Sequence, residues 1–286
     1  MKLGIFAKTF RRPTIEELFQ SVAGYRINSV QFNLSCAGLE PLPKAVPSGL
    51  AQRIADAAEQ AKVELSAISG TFNMAHPDPA DRRGNLTKFE VLCQVATRLH
   101  IPVITLCTGT RDPVTMWKWH SETDSKEAWD DMVQSIESAL IAAERNNLIL
   151  AFEPESENIV NSATRARKLL NELRNPRLRI VIDPANLIFH GCNQREVLDE
   201  AFALLGDSIV IAHAKDRNSD FQACAAGKGI LDFEYYLRCA KQSGFTGPLV
   251  MHGLDEIDVA FSREFLRQTL AKGCCEMVVI FLVWSG

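Results

Sequence analysis

Leu148-Ile-Leu-Ala-Phe-Glu153 and Arg179-Ile-Val-Ile-Asp183 are short apolar runs that each end in a carboxylate. The pattern recurs in Ile209-Val-Ile-Ala-His213 and Pro248-Leu-Val-Met-His252, where the closing residue is an imidazole. Successive closing residues lie 30, 30 and 39 positions apart, about the length of one strand, one helix and their loops. Apolar cores of this length read as parallel strands covered on both faces. In a closed parallel barrel, consecutive strand ends face one bowl at the C-terminal side, so four donors far apart in sequence would converge there.

Outward from these four runs the same alternation continues to both ends. Strands are expected at Leu3–Phe6, Ser29–Leu34, Val63–Ser69 and Pro102–Leu106, before the four already quoted. Helical patterns fall between them at 14–24 with Thr14 as cap, at 48–61 with Ser48 as cap, and at 86–99, 125–146, 162–175, 194–205, 233–243 and 262–272. Eight strand–helix units predict an α/β fold, a single (β/α)8 TIM barrel, over residues 1–273. An open doubly wound sheet would carry a glycine-rich turn after its first strand, and Ala7-Lys-Thr-Phe-Arg-Arg12 is not one. Gly273 reads as a helix stop, leaving 274–286 as a C-terminal apolar tail of unassigned role.

Composition narrows the function. Lysine and arginine number 31 against 35 acids, for a net charge of -4, so no basic field marks the chain for nucleic acid. No run reaches the roughly 20 apolar residues of a membrane span. Eight cysteines are present without C-x-x-C spacing, and Cys36, Cys93, Cys107 and Cys239 sit in or beside apolar periodic segments. Thiols there pack as small hydrophobes, and the chain opens on a strand rather than a leader, so a reducing cytoplasm is expected. A homo-oligomer is compatible with this composition.

Glu153 and Asp183 are hard oxygen donors, whereas His213 and His252 offer nitrogen. That mixture suits a divalent ion such as manganese, cobalt, iron, magnesium or zinc rather than calcium. Glu155, Asn186, Lys215 and Asp216 stand within three residues of these donors and are candidate substrate contacts. Lys215 reads equally as a solvated loop lysine. In the loops after strands three and four, Asn73 and Arg111 are further candidates. Arg111 would grip an anion bidentately or pair with an acid such as Asp112. Trp117 is a candidate wall for a sugar face, whereas Trp129, in a helical run, reads as core.

Several strings resemble one family. They are Phe152-Glu-Pro-Glu155, Ile182-Asp-Pro-Ala-Asn186, His213-Ala-Lys-Asp216, Gly227-Lys-Gly-Ile-Leu-Asp-Phe233 and Gly247-Pro-Leu-Val-Met-His-Gly253. Their order and spacing resemble the xylose-isomerase-like barrels, a group of sugar and sugar-phosphate isomerases and epimerases. The resemblance covers nearly the whole chain. It implies a divalent metal on Glu153, Asp183 and His213, with His252 where the group usually has a second glutamate. In the epimerases of that group the two glutamates move protons on opposite faces of the substrate.

The expected activity is therefore a metal-dependent isomerase or epimerase of a small sugar, sugar phosphate or keto-polyol, acting through an enediolate. Glu153 would remove the proton, and His252 would return it. If His252 is locked to the metal, Glu155 or Asp216 takes that role. A dehydratase of a keto-polyol such as an inosose begins with the same abstraction and is the alternative. An abasic-site endonuclease needs more histidines and a basic face, and a non-catalytic sugar-binding barrel would explain the missing glutamate.

Overall fold

The computed structural model describes the backbone of residues 1–282 and the side chains of residues 1–272. Its elements run β1 (Lys2–Phe6), α1 (Ile15–Gly24), β2 (Ser29–Phe32), α2 (Leu50–Gln60), β3 (Glu64–Ser69), α3 (Pro79–Arg98), β4 (Val103–Cys107), α4 (Lys126–Arg145) and β5 (Ile149–Glu153). There follow α5 (Ala163–Leu173), β6 (Leu178–Ile182), α6 (Pro184–Leu187), α7 (Gln194–Leu205), β7 (Ile209–Arg217), β8 (Ala223–Ala225), α8 (Phe233–Gln242), β9 (Pro248–Met251) and α9 (Val259–Leu282). Each of β1 to β6 pairs in parallel with the next strand, β6 pairs with β7, and β9 joins β7 to β1. The ring closes as eight parallel strands, the expected (β/α)8 barrel.

Local chemistry accounts for most helix starts. The side chains of Thr14, Ser125, Ser162 and Asp232 accept backbone N–H groups of α1, α4, α5 and α8, which satisfies donors left over in the first turn. Two expected starts are corrected. The second helix begins at Leu50 behind Gly49, whose φ of +81° suits glycine, and Ser48 does not cap it. The third begins at Pro79 rather than Leu86, because Asp78 Oδ1 accepts from Ala80 N at 2.7 Å and Pro79 supplies a preset φ.

Two ends also differ from expectation. β7 continues five residues past Ala212 to Arg217, because β8 pairs with it antiparallel, Lys215 opposite Ala225 and Asp216 opposite Cys224. α9 runs through Gly273 to Leu282, so that glycine does not stop the helix. The role of 274–286 lies outside the described side chains. Among the described residues no helix is long and apolar enough to cross a membrane.

Strand alternation divides the core into two parts. Leu150, Phe152, Ile180, Ile182, Leu249 and Met251 pack outward under the helices with Phe89, Leu169 and Tyr236. Ala67, Val103, Ala151, Val181, Ile211 and Val250 form a separate cluster inside the ring. Two residues further along those six strands stand Ser69, Thr105, Glu153, Asp183, His213 and His252. A dry apolar plug thus supports a polar floor, and the plug's register sets the height of every side chain above it.

Candidate metal centre at the barrel mouth

Asp183, His213 and His252 each bring a donor atom to within 4.8 Å of the others. Asp183 and His213 are 1% exposed. Asp183 Oδ1 accepts from Ala185 N at 2.9 Å, capping α6, which turns the carboxylate and leaves Oδ2 toward the bowl. His213 Nδ1 lies 3.4 Å from Glu153 Oε1 and 3.6 Å from Asp183 Oδ2. The His252 ring stacks on His213, with centroids 5.0 Å apart and planes within 7°, and stacks on Phe6 as well. Three of the four expected ligands therefore form the tight group, with Glu153 against one side of it.

Asp183 Oδ2 ion-pairs with Lys215 Nζ at 2.9 Å, while His213 Nδ1 and His252 Nδ1 are buried without a hydrogen bond. Buried polar atoms are rarely left this way, since each costs about 1–3 kcal/mol. Two unpartnered imidazole nitrogens and a carboxylate, on three side chains whose donor atoms converge, match the needs of a divalent cation. These residues fit such an ion, and the mixed N and O set suits a transition metal or zinc.

Charges around the group are strongly coupled. Burial penalises the Asp183 carboxylate, but Lys215 Nζ at 2.9 Å and His213 outweigh it and hold its pKa well below the usual range. Burial also penalises the His213 imidazolium, yet Glu153 and Asp183 raise its pKa to about 9 in the metal-free chain. His252 goes the other way. Burial, then His213 and Lys215, lower it to about 3, so its ring stays neutral with one nitrogen lone pair to offer. Glu155, buried and beside the Glu153 charge, is raised to about 8 and keeps its proton at neutral pH.

Lys215 is no solvated loop lysine. It is 8% exposed, and besides Asp183 it donates to Asn186 Oδ1 at 2.7 Å. Asn186 Nδ2 in turn donates to Glu153 Oε1 at 2.7 Å, so one amide ties the lysine to the carboxylate. A cleft of about 420 Å³ opens beside His252, between Phe6, Lys8, Gly253 and Asp255. Its size suits a small molecule.

Other candidates lie elsewhere. Asp216, next to Lys215 on β7, points to the opposite side. Its Oδ1 accepts from Arg217 N at 2.8 Å and Leu231 N at 3.1 Å, and its Oδ2 from Gly227 N and Gly229 N at 3.0 Å each. A Cβ at Gly229 would stand 2.3 Å from Asp216 Oδ1, so the loop must carry glycine there. Asp216→Ala is expected to destabilise the chain by about 3 kcal/mol through the lost charged acceptor. Zinc affinity should be unchanged. Urea unfolding with calorimetric zinc titration checks this, and loss of affinity without loss of stability would contradict it.

Asn73 spends its amide on Ala75 N, Thr110 N and Asp112 O, stitching the loops after β3 and β4. Gly109, with φ +77°, passes so close that an added Cβ would meet Asn73 Oδ1 at 2.1 Å. Arg111 is buried, its Nη1 held by Ala75 O at 3.0 Å and by Asp131 Oδ2 at 2.8 Å, and Arg82 pairs with the same Asp131. Trp117 is 53% exposed on the loop after β4, while Trp129 is buried in the core as expected. Gln31 and Phe6 also reach the cluster, although sequence patterning had not marked them. A glutamine inside the otherwise apolar Val30–Phe32 stretch was the available signal for the first.

A parallel barrel with a metal-fitting group on β5, β6, β7 and β9 defines a class of site at the C-terminal face, where barrel enzymes keep their chemistry. The chain belongs to the xylose isomerase-like TIM barrel family, whose sequence profile matches residues 24–269. Over 150 residues it is 30% identical to UlaE, an L-ribulose-5-phosphate 3-epimerase of Escherichia coli. That stretch is 50% of this chain and 50% of UlaE, so the chain spans about half the length of this relative. D-psicose 3-epimerase from Clostridium cellulolyticum H10 superposes with a TM-score of 0.75 at 16% identity, covering 94% of this chain and 99% of that one. The IOLI protein, solved with a zinc atom bound, superposes at 0.72 with 17% identity, covering 97% and 98%. At these identities the two likenesses establish the fold.

Proposed function

We propose that this chain is a metal-dependent isomerase or epimerase of a small sugar or sugar phosphate, working by proton transfer beside a carbonyl. The observation that carries the reading is the convergence of the Asp183, His213 and His252 donors with two carboxyl groups, Glu153 and Glu155, at the bowl of a barrel of this family. Membership of the family and the likeness of half the chain to an epimerase support the substrate class.

Asp183, His213 and His252 would hold the cation, with Glu153 beside them. When bound, the cation would polarise a substrate carbonyl and favour negative charge on its oxygen. Glu153 takes the carbon-bound proton, with Asn186 Nδ2 fixing Oε1 and leaving Oε2 free to act as base. Lys215, held by Asp183 and Asn186, adds positive charge beside these groups and favours the enediolate. The return of the proton falls to Glu155. A ring lowered to about 3 has no proton to give at neutral pH, whereas Glu155 retains one up to about 8. His252 then serves as ligand rather than acid, which answers the loss of the second glutamate.

The direct test incubates the protein with manganese, cobalt or zinc and a panel of ketoses, free and phosphorylated, in deuterated water. Deuterium should enter beside the carbonyl, with a product of unchanged composition. No incorporation with any metal and any ketose would overturn the reading.

A further inference from the structure

We propose that Gln31 is a positioning residue that locks His213 in the tautomer needed by a divalent cation, an inference that rests on the metal reading above. Gln31 Oε1 lies 3.0 Å from His213 Nε2, across the barrel lumen between β2 and β7. Gln31 is 4% exposed, so neither amide atom is served by bulk water.

The far side of the amide is held by two hydroxyls. Gln31 Nε2 lies 3.3 Å from both Ser69 Oγ and Thr105 Oγ1, one hydroxyl for each of its two protons. With the amide so placed, Oε1 faces His213, and a carbonyl oxygen there requires a proton on Nε2. With Nε2 protonated, neutral imidazole carries its lone pair on Nδ1. Nδ1 is the orphaned atom, 3.6 Å from Asp183 Oδ2.

The reversed amide would have the opposite consequence. Its NH2 group would face Nε2 and move the ring proton to Nδ1, blocking the donor. That proton would lie between Glu153 Oε1 at 3.4 Å and Asp183 Oδ2 at 3.6 Å, inside the donor group. Four strands therefore meet: β3 and β4 hold the amide on β2, which faces the imidazole on β7. Partners behind metal-binding histidines commonly change affinity by 10–100-fold when removed.

Two measurements test this. In zinc-loaded protein, long-range 15N–1H correlation spectra should show His213 with its proton on Nε2 and its shifted, metal-bound nitrogen at Nδ1. Calorimetric zinc affinity should fall roughly 10–100-fold in Gln31→Leu and hold within a few-fold in Gln31→Glu, which still accepts from Nε2–H. A zinc-bound spectrum with the proton on Nδ1, or equal zinc affinity in wild type and Gln31→Leu, overturns the role of Gln31. Absence of zinc binding in the wild type overturns the metal reading instead. The wild-type spectrum decides the tautomer even if Gln31→Leu fails to fold.

Discussion

Glu153→Gln is expected to slow solvent deuterium exchange into a responsive ketose by roughly 10²–10⁴-fold, the usual contribution of a positioned general base. The substitution removes basicity and little else. The introduced amide would keep an oxygen to accept from Asn186 Nδ2, now 2.7 Å from Oε1, and would have the same length and packing on β5. Exchange should be followed by proton NMR at saturating metal, because losing the Glu153 charge weakens attraction for the cation. Far-UV circular dichroism should be unchanged. A variant that exchanges at the wild-type rate would show that another group takes the proton, and Glu155 would then be the first to replace.

Asp183→Asn is expected to abolish zinc binding and to lower stability by about 3 kcal/mol. That is the low end of the range for one partner removed from a buried ion pair. The introduced side-chain oxygen would still cap α6, so the N–H of Ala185 keeps its acceptor. What is lost is the charge facing Lys215 Nζ at 2.9 Å, with both side chains buried. Glu153 also acts on that lysine, which keeps the penalty from being larger. For a chain of this size the melting temperature should fall roughly 5 °C. Adding Lys215→Met should recover much of that loss without recovering zinc. If the single variant melts like wild type, the buried pair is not what holds this corner of the bowl.

The strands and helices were legible because their signals are local. Apolar runs of four or five residues and capping residues such as Thr14, Ser125 and Ser162 act over a few positions, and the structure uses them where they fall. The errors sit where a neighbour in space intervenes. β7 appeared to end at Ala212, since Lys215 and Asp216 do not look like strand residues, but pairing with β8 extends it. Had the strand been carried on, its alternation would have separated the two side chains. Lys215 turns inward to Asp183, and Asp216 turns away to the backbone of 227–231.

For the site, the sequence alone determined which residue types meet. Parallel strands of one family of folds must present their C-terminal ends together, so Glu153, Asp183, His213 and His252 converge by topology. Only the tertiary structure decided what each of them does. Whether a carboxyl keeps its proton, as Glu155 does, depends on burial and on charges from other strands. The tautomer of His213 depends on an amide 182 residues away. Proton positions are set by solvation and by partners within a few ångströms, and neither is encoded in the spacing of residues along the chain.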